Sequence, residues 1–243
     1  MELSVIVPAY NESAVIEGNV LAIEKAVSGK VESYEIIVVD DGSTDATFEN
    51  ASRAAKSKKI MIFGYRQNKG KGYALKLGTR KSSGKIVAFL DADLEIPADR
   101  MFTLLPELEK GADIAIFSKN HPSSRINFPF YRKFLSKLYY IFAKALFHLP
   151  VSDTQTGCKV FRREVLDKVL PYVYTKQFAF DLELLAYAND YGYRISELPI
   201  KINFRRETGR IRLGNIWRMA LDTLIAFFRL HVKRIHRWPA DKI

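Results

Sequence analysis

Apolar runs and helical patterns alternate through the first half of the chain. Leu3–Pro8, Glu35–Val39, Ile60–Tyr65, Lys85–Leu90 and Asp113–Phe117 read as strands buried on both faces, each separated from the next by roughly one helix. Parallel neighbours need a crossover, so this rhythm predicts βαβ units and an α/β fold with a doubly wound, mostly parallel sheet. Ligands of such sheets bind beyond the carboxyl ends of the strands. Three of the runs end there in polar clusters: Asn11-Glu12, Asp40-Asp41-Gly42-Ser43 and Asp91-Ala92-Asp93. The clusters are expected to share one cleft.

From Lys119 onward the pattern is helical. Phe130, Tyr131, Phe134, Leu135, Leu138, Tyr139, Phe142, Ala145 and Leu146 follow a 3.6-residue repeat, with Lys133, Lys137, Lys144 and His148 opposite. A second stripe closes the chain: Ile216, Trp217, Ala220, Leu221, Leu224, Ile225, Phe228 and Val232 on one face, Arg218, Arg229, Lys233, Arg234 and Arg237 mostly on the other. No internal repeat and no Gly/Ser linker interrupts the chain, so these helices are expected to pack on the same domain.

Composition narrows the classes. A length of 243 residues suits one α/β domain, and 48% hydrophobic with 27% charged residues excludes a disordered or low-complexity chain. The longest run without a charged residue, Leu3–Asn11, is far short of the ~20 apolar residues of a spanning helix, so none is expected. Met1-Glu2 leads directly into a strand-like run, without the basic and apolar regions of a signal peptide, which predicts a cytoplasmic location. The single cysteine, Cys158, agrees with a reducing compartment. The net charge of +11 predicts a polyanionic partner: nucleic acid, an anionic membrane or a phosphorylated substrate. Residues 119–150 carry six Lys/Arg and no Asp/Glu.

Asp91-Ala92-Asp93 sets two carboxylates at a strand exit, and Glu95 adds a third on the same side. Hard divalent cations take such oxygen ligands and bridge them to a diphosphate. The same triplet also arises in turns and helix caps. Asp40 to Asp45 reads equally as a turn at Gly42 with Ser43 or Thr44 capping a helix, although capping alone leaves two adjacent carboxylates unexplained. Asp181 and Glu183 either orient a ligand or favour a helix start, with Asp181 the stronger candidate.

Four ordered motifs then give a resemblance: Val5-Ile6-Val7-Pro8-Ala9-Tyr10-Asn11-Glu12, Val39-Asp40-Asp41-Gly42-Ser43-Thr44-Asp45, Asn68-Lys69-Gly70-Lys71-Gly72 and Asp91-Ala92-Asp93-Leu94. Together they resemble the family 2 glycosyltransferases of GT-A fold. Ser118-Lys119, Arg132 with Ser136, Asp153 to Lys159, Phe178–Glu183 and Arg206-Glu207-Thr208-Gly209 extend the resemblance over about residues 1–212, toward the dolichyl-phosphate mannose synthases and glucosyltransferases.

That resemblance implies a GT-A domain over 1–212; periodicity and charge place an amphipathic helix within it at about 129–148 and predict a basic, membrane-docking helix over 213–243. The resemblance also implies that Pro8, Tyr10, Glu12, Val38, Asp40, Asp41 and Ala92 bind the nucleotide sugar. Asp91, Asp93 and Glu95 would hold Mg²⁺ or Mn²⁺. Lys119, Arg132, Ser136, Arg206 and Arg212 would bind phosphates, and Asp91, Asp93, Asp181 and Arg132 would serve catalysis. The implied reaction is inverting transfer of a hexose from GDP-mannose or, slightly behind it, UDP-glucose to dolichyl or another polyprenyl phosphate, at the cytoplasmic membrane face. A soluble or polysaccharide acceptor is the alternative. A nucleic-acid-binding module is more distant, since no helix-turn-helix, zinc or RNA-recognition signature accompanies the charge.

Overall fold

A computed structural model of the chain describes residues 2–126, 140–177, 179–202 and 221–232. The five apolar runs form strands within a residue of their expected ends: β1 Leu3–Ala9, β2 Tyr34–Asp40, β3 Ile60–Gly64, β4 Ile86–Leu90 and β5 Ile114–Ser118. β6 Arg125–Ile126 and β9 Lys201–Ile202 form a small separate ribbon, and β7 Cys158–Arg162 and β8 Ile195–Pro199 complete the main sheet. Its order is β3-β2-β1-β4-β7-β5-β8. β7 runs antiparallel to both neighbours, while β1, β2, β3 and β4 pair in parallel and β5 pairs in parallel with β8.

Alternate residues of each strand serve opposite faces. Val5, Val7, Ile36 and Val38 enter one core, and Ile6, Ile37 and Val39 enter the other. The first core is roofed by α1 Ile16–Ser28, which buries Ile16, Val20, Ile23 and Val27 at helical spacing, with α2 Thr47–Ala54 and α4 Leu105–Glu109 nearby. The second takes α3 Lys71–Lys81, a helix α5 over 140–147, α6 Arg163–Val169 and α7 Phe180–Asp190. Helices on both faces leave the carboxyl-end loops as the open edge.

The last described helix, α8, spans 221–227 and runs into a π turn at Phe228–Val232. Thr223, Ala226 and Leu230 are its buried residues, and Phe227 meets Phe147 of α5 edge to face at 5.9 Å. Of the apolar stripe read from the sequence, Leu221, Leu224, Ile225 and Phe228 are exposed, Phe228 at 57%. Among the described residues no helix is long and apolar enough to cross a membrane.

Candidate active site

The loops after β1 and β2 are stitched into one wall. Asn11, in the left-handed region at φ 53°, donates its backbone N–H to Ser43 Oγ at 2.9 Å, and its Oδ1 accepts the Thr44 N–H at 2.9 Å. Ser43 in turn donates its hydroxyl to Asp40, and the Glu12 N–H donates to Thr47 Oγ1 at 2.8 Å. Burial raises the Asp40 carboxyl pKa, against the Ser43 hydrogen bonds that lower it. Tyr10 stands exposed at the rim, beside half-buried Pro8 and Glu12. Val38 does not reach this surface: it sits inside β2 with its side chain wholly buried in the first core, so no ligand can touch that side chain. Ala92 is also buried, and its carbonyl accepts Asn19 Nδ2 at 2.8 Å.

Asp41 holds a loop. Its carboxylate accepts Tyr65 Oη at 2.6 Å, Asn68 Nδ2 at 3.0 Å and the N–H groups of Lys69 and Gly70 at 2.8 and 2.9 Å. Gly70 has φ +95°, and a Cβ there would collide with the Lys176 carbonyl, so only glycine lets this loop close over α3. The sequence motif Asn68 to Gly72 is therefore the backbone partner of the Asp40-Asp41 motif.

β4 ends in a tight turn in which the Leu94 N–H donates to the Asp91 carbonyl at 3.2 Å and Leu94 takes φ 48°. A branched residue in that region is strained, and strain of this kind is kept where the turn must aim side chains. The Asp91 N–H donates to the Gly157 carbonyl at 2.9 Å, and a Cβ on Gly157 would lie 2.6 Å from Asp91 Oδ2. The loop entering β7 thus presses on the acidic turn. Between them lies a pocket lined by Asp91, Glu95, Ile96, Lys119, Gln155, Thr156 and Gly157. Lys119 is fixed on its far side. Its N–H donates to Asp153 Oδ2 at 3.1 Å, and its Nζ lies 3.7 Å from that oxygen and 3.4 Å from the Gln155 carbonyl.

Whether this pocket suits Mg²⁺ or Mn²⁺ turns on its donor chemistry. Asp91 and Glu95 offer only oxygen, as hard cations require, and both open on the pocket. Among the described residues no three Asp, Glu, His or Cys converge into a cage, so Asp91, Asp93 and Glu95 are not a preformed three-carboxylate site. One or two carboxylates completed by substrate phosphates is the ordinary Mg²⁺ arrangement, and the residues present fit that.

Asp181 opens α7 directly behind the pocket. Its Oδ1 accepts Lys159 Nζ at 2.7 Å and its Oδ2 lies 3.8 Å from Lys71 Nζ, which is itself 2.6 Å from Asp91 Oδ1. Burial alone would raise the Asp181 pKa, but the Lys159 and Lys71 charges outweigh it and leave the carboxyl below its usual range. Glu183, two residues on, accepts the backbone N–H groups of Tyr174 and Thr175 at 3.0 and 2.7 Å and ties down the stretch that carries Lys176. Both acids therefore face protein donors. Sequence reasoning assigned no role to Lys71 or Lys159, although each lies inside a motif that carried the resemblance. Arg132, Ser136, Arg206 and Arg212 lie outside the described residues.

Comparison with known proteins agrees with this geometry. The family model described as Glycosyl transferase family 2 matches residues 4–170. A dolichol-phosphate mannosyltransferase of Pyrococcus furiosus is 33% identical across 99% of this chain and 65% of its own length. A dolichyl-phosphate beta-glucosyltransferase of Dictyostelium discoideum is 33% identical across 82% of this chain and, again, 65% of its own. The chain thus spans about two-thirds of the length of these curated relatives. The crystal structure of Mycobacterium tuberculosis glucosyl-3-phosphoglycerate synthase in complex with Mn²⁺, uridine diphosphate and glucosyl-3-phosphoglycerate superposes with a TM-score of 0.71 at 25% identity, over 93% of this chain and 79% of that one. The sheet order, the acidic turn after β4 and the matched residues lead to one conclusion: the chain belongs to the family 2 glycosyltransferases, with a GT-A-like fold.

Proposed function

We propose that this protein transfers a hexose from a nucleotide sugar to a polyprenyl phosphate at a membrane surface, with inversion at the sugar carbon. The observation that carries the reading is the pocket whose lining brings together Asp91, Glu95 and Lys119. Carboxylates on one side and an ammonium on the other suit a ligand that brings both a cation-bridged diphosphate and a second phosphate. Asp91 and Glu95, with Asp93 beside them, would hold a divalent cation, which when bound would supply neutralisation of charge on the departing diphosphate. The wall formed by Tyr10, Glu12 and Asp40 takes the base and ribose, and Asp41 holds that wall in register. A lipid phosphate is already ionised near neutral pH, so the chain need only position it and screen its charge. Lys119 serves there, with Arg132, Ser136, Arg206 and Arg212 as the further phosphate ligands implied by resemblance.

The mannosyl and glucosyl names of the relatives support a hexose donor and a dolichyl-type acceptor. GDP-mannose is the first donor to test and UDP-glucose the second. The outward stripe of α8 and the six cations of 119–150 support docking on an anionic leaflet without a spanning segment. The test is transfer by the purified chain from each donor to dolichyl phosphate in anionic vesicles with Mn²⁺. Asp91→Asn is expected to lower turnover at least about 100-fold, the loss of a few kcal/mol of charge stabilisation. Transfer to phosphoglyceric acid, the ligand named in a solved complex of the mycobacterial synthase, in place of the lipid would overturn the acceptor.

A further inference from the structure

Four charges alternate in a line from the interior to the pocket: Lys159, Asp181, Lys71 and Asp91. The inner pair is dry, with side chains 2% and 8% exposed, and Lys159 also donates to the Thr156 carbonyl at 2.6 Å. The outer pair is at the rim, with Lys71 35% and Asp91 38% exposed. Lys71 opens α3 immediately after the Gly70 turn, whose backbone is pinned to Asp41 and to the Lys176 stretch. Its ammonium is thereby delivered to Asp91, the carboxylate that a cation needs.

Resting on the metal-assisted reading above, we propose that Lys71 is a built-in counter-ion of Asp91 that a divalent cation must displace, so that the empty site takes up metal poorly. Two features support this. Lys71 touches Asp91 at 2.6 Å, well inside ion-pair range, so it and a cation compete for the same carboxylate. Asp181, fixed by Lys159, shares Lys71 at 3.8 Å and keeps the displaced ammonium partnered inside the protein, so displacement does not strand a charge. Metal uptake is then coupled to the donor: a diphosphate supplies the oxygens that the two pocket carboxylates lack and also an anion toward which Lys71 can turn. The design keeps a strongly acidic turn from collecting cations before a nucleotide sugar arrives.

Mn²⁺ binding to the whole chain, read as loss of the free-ion electron paramagnetic resonance signal without nucleotide and then with GDP or UDP, tests this. Lys71→Met is expected to tighten nucleotide-free Mn²⁺ binding about fivefold, the upper end of the scale for a partly exposed ion pair, and Lys71→Arg to leave it near wild type. Lys119→Met removes a pocket cation that does not touch Asp91, and its effect is expected to be less than about threefold. The proposal is overturned if Lys71→Met leaves affinity unchanged or lower, or if Lys119→Met tightens binding as much. Thermal melts of each variant separate misfolding from altered affinity. Absence of Mn²⁺ binding to wild type even with a nucleoside diphosphate would instead sink the metal-assisted reading itself, so the two failures are distinct.

Discussion

The nucleotide side of the cleft and the helical side beyond it are built differently. On the first, short turns at strand ends lock polar side chains to backbone groups. Asp41 alone receives donors from Tyr65, Asn68, Lys69 and Gly70. On the second, α5 and α8 meet through Phe147, Phe227, Ala226 and Leu230, and α8 turns a row of apolar side chains to solvent. Chemistry that needs atoms fixed to a fraction of an ångström is placed on rigid strand ends. A surface that only needs to adhere can be a periodic stripe on a helix.

The sharpest way to break this contrast is to unsettle the rigid side from within. Lys159→Met removes one partner of a buried pair and leaves Asp181 poorly compensated, a loss of about 3–5 kcal/mol. Arg229→Ala, in the π turn that follows α8, removes a guanidinium stacked 4.6 Å above the Tyr174 ring, worth about 0.5–1 kcal/mol. Urea unfolding at pH 7 measures both, and equal losses would erase the distinction. The pH dependence has a definite sign. Because the folded Asp181 pKa is lowered, its stabilisation is full above the unfolded carboxylate pKa and is lost as pH falls through the folded value. Without Lys159 that acid-side loss moves to higher pH.

The same contrast explains what could be read in the chain beforehand. β1 to β5 were legible because strands buried on both faces are continuous apolar runs, and the carboxylate motifs were legible because each lies on one short turn. β7 was not legible as a central strand. Its second residue is Lys159, and a charge mid-strand reads as surface unless its partner is known, here Asp181 more than 20 positions later in the chain and on a helix. Asp181 suffered the same fate in reverse: seen alone it reads as a ligand group, whereas in the fold both its oxygens face lysines. Periodicity found α8 and its apolar stripe but not the residues that seat it on the domain: Thr223 and Ala226 pack inward, and small side chains leave little hydrophobic signal.

A second prediction sharpens the helical side. Ile225→Ser with Phe228→Ser changes two exposed side chains that support no described core, so the thermal midpoint is expected to move by less than about 2 °C. Association with anionic vesicles is expected to fall about 30-fold, because partial burial of each side chain in the interface is worth roughly 1 kcal/mol and the two add to about 2 kcal/mol. Co-sedimentation at low and high salt measures this. Unchanged vesicle binding together with a large drop in thermal midpoint would make the stripe a packing surface and collapse the two regions into one kind.

Chemical labelling tests whether the nucleotide side is as rigid as its hydrogen bonds require. Cys158 opens β7, pairs with Leu90 and is wholly buried beside the acidic turn. Burial pushes its thiol up to about 12, far more than the neighbouring Lys159 charge lowers it, so almost no thiolate exists at pH 8. Alkylation therefore requires β7 to leave the sheet, and β7 can leave only by breaking its ladders to β4 and β5 and the Lys159–Asp181 pair together. Iodoacetamide is expected to leave wild-type Cys158 unmodified over an hour at pH 8, and to label it fully once the chain is unfolded in guanidinium. A cysteine introduced on the outward stripe by Leu224→Cys, in a Cys158→Ala background, is expected to react within minutes, at least about 1,000-fold faster, since it needs no opening at all. Labelling of the native Cys158 at a comparable rate would mean that the wall behind Asp91 opens as readily as a surface helix presents its side chains, and a site that positions a diphosphate could not be built on it.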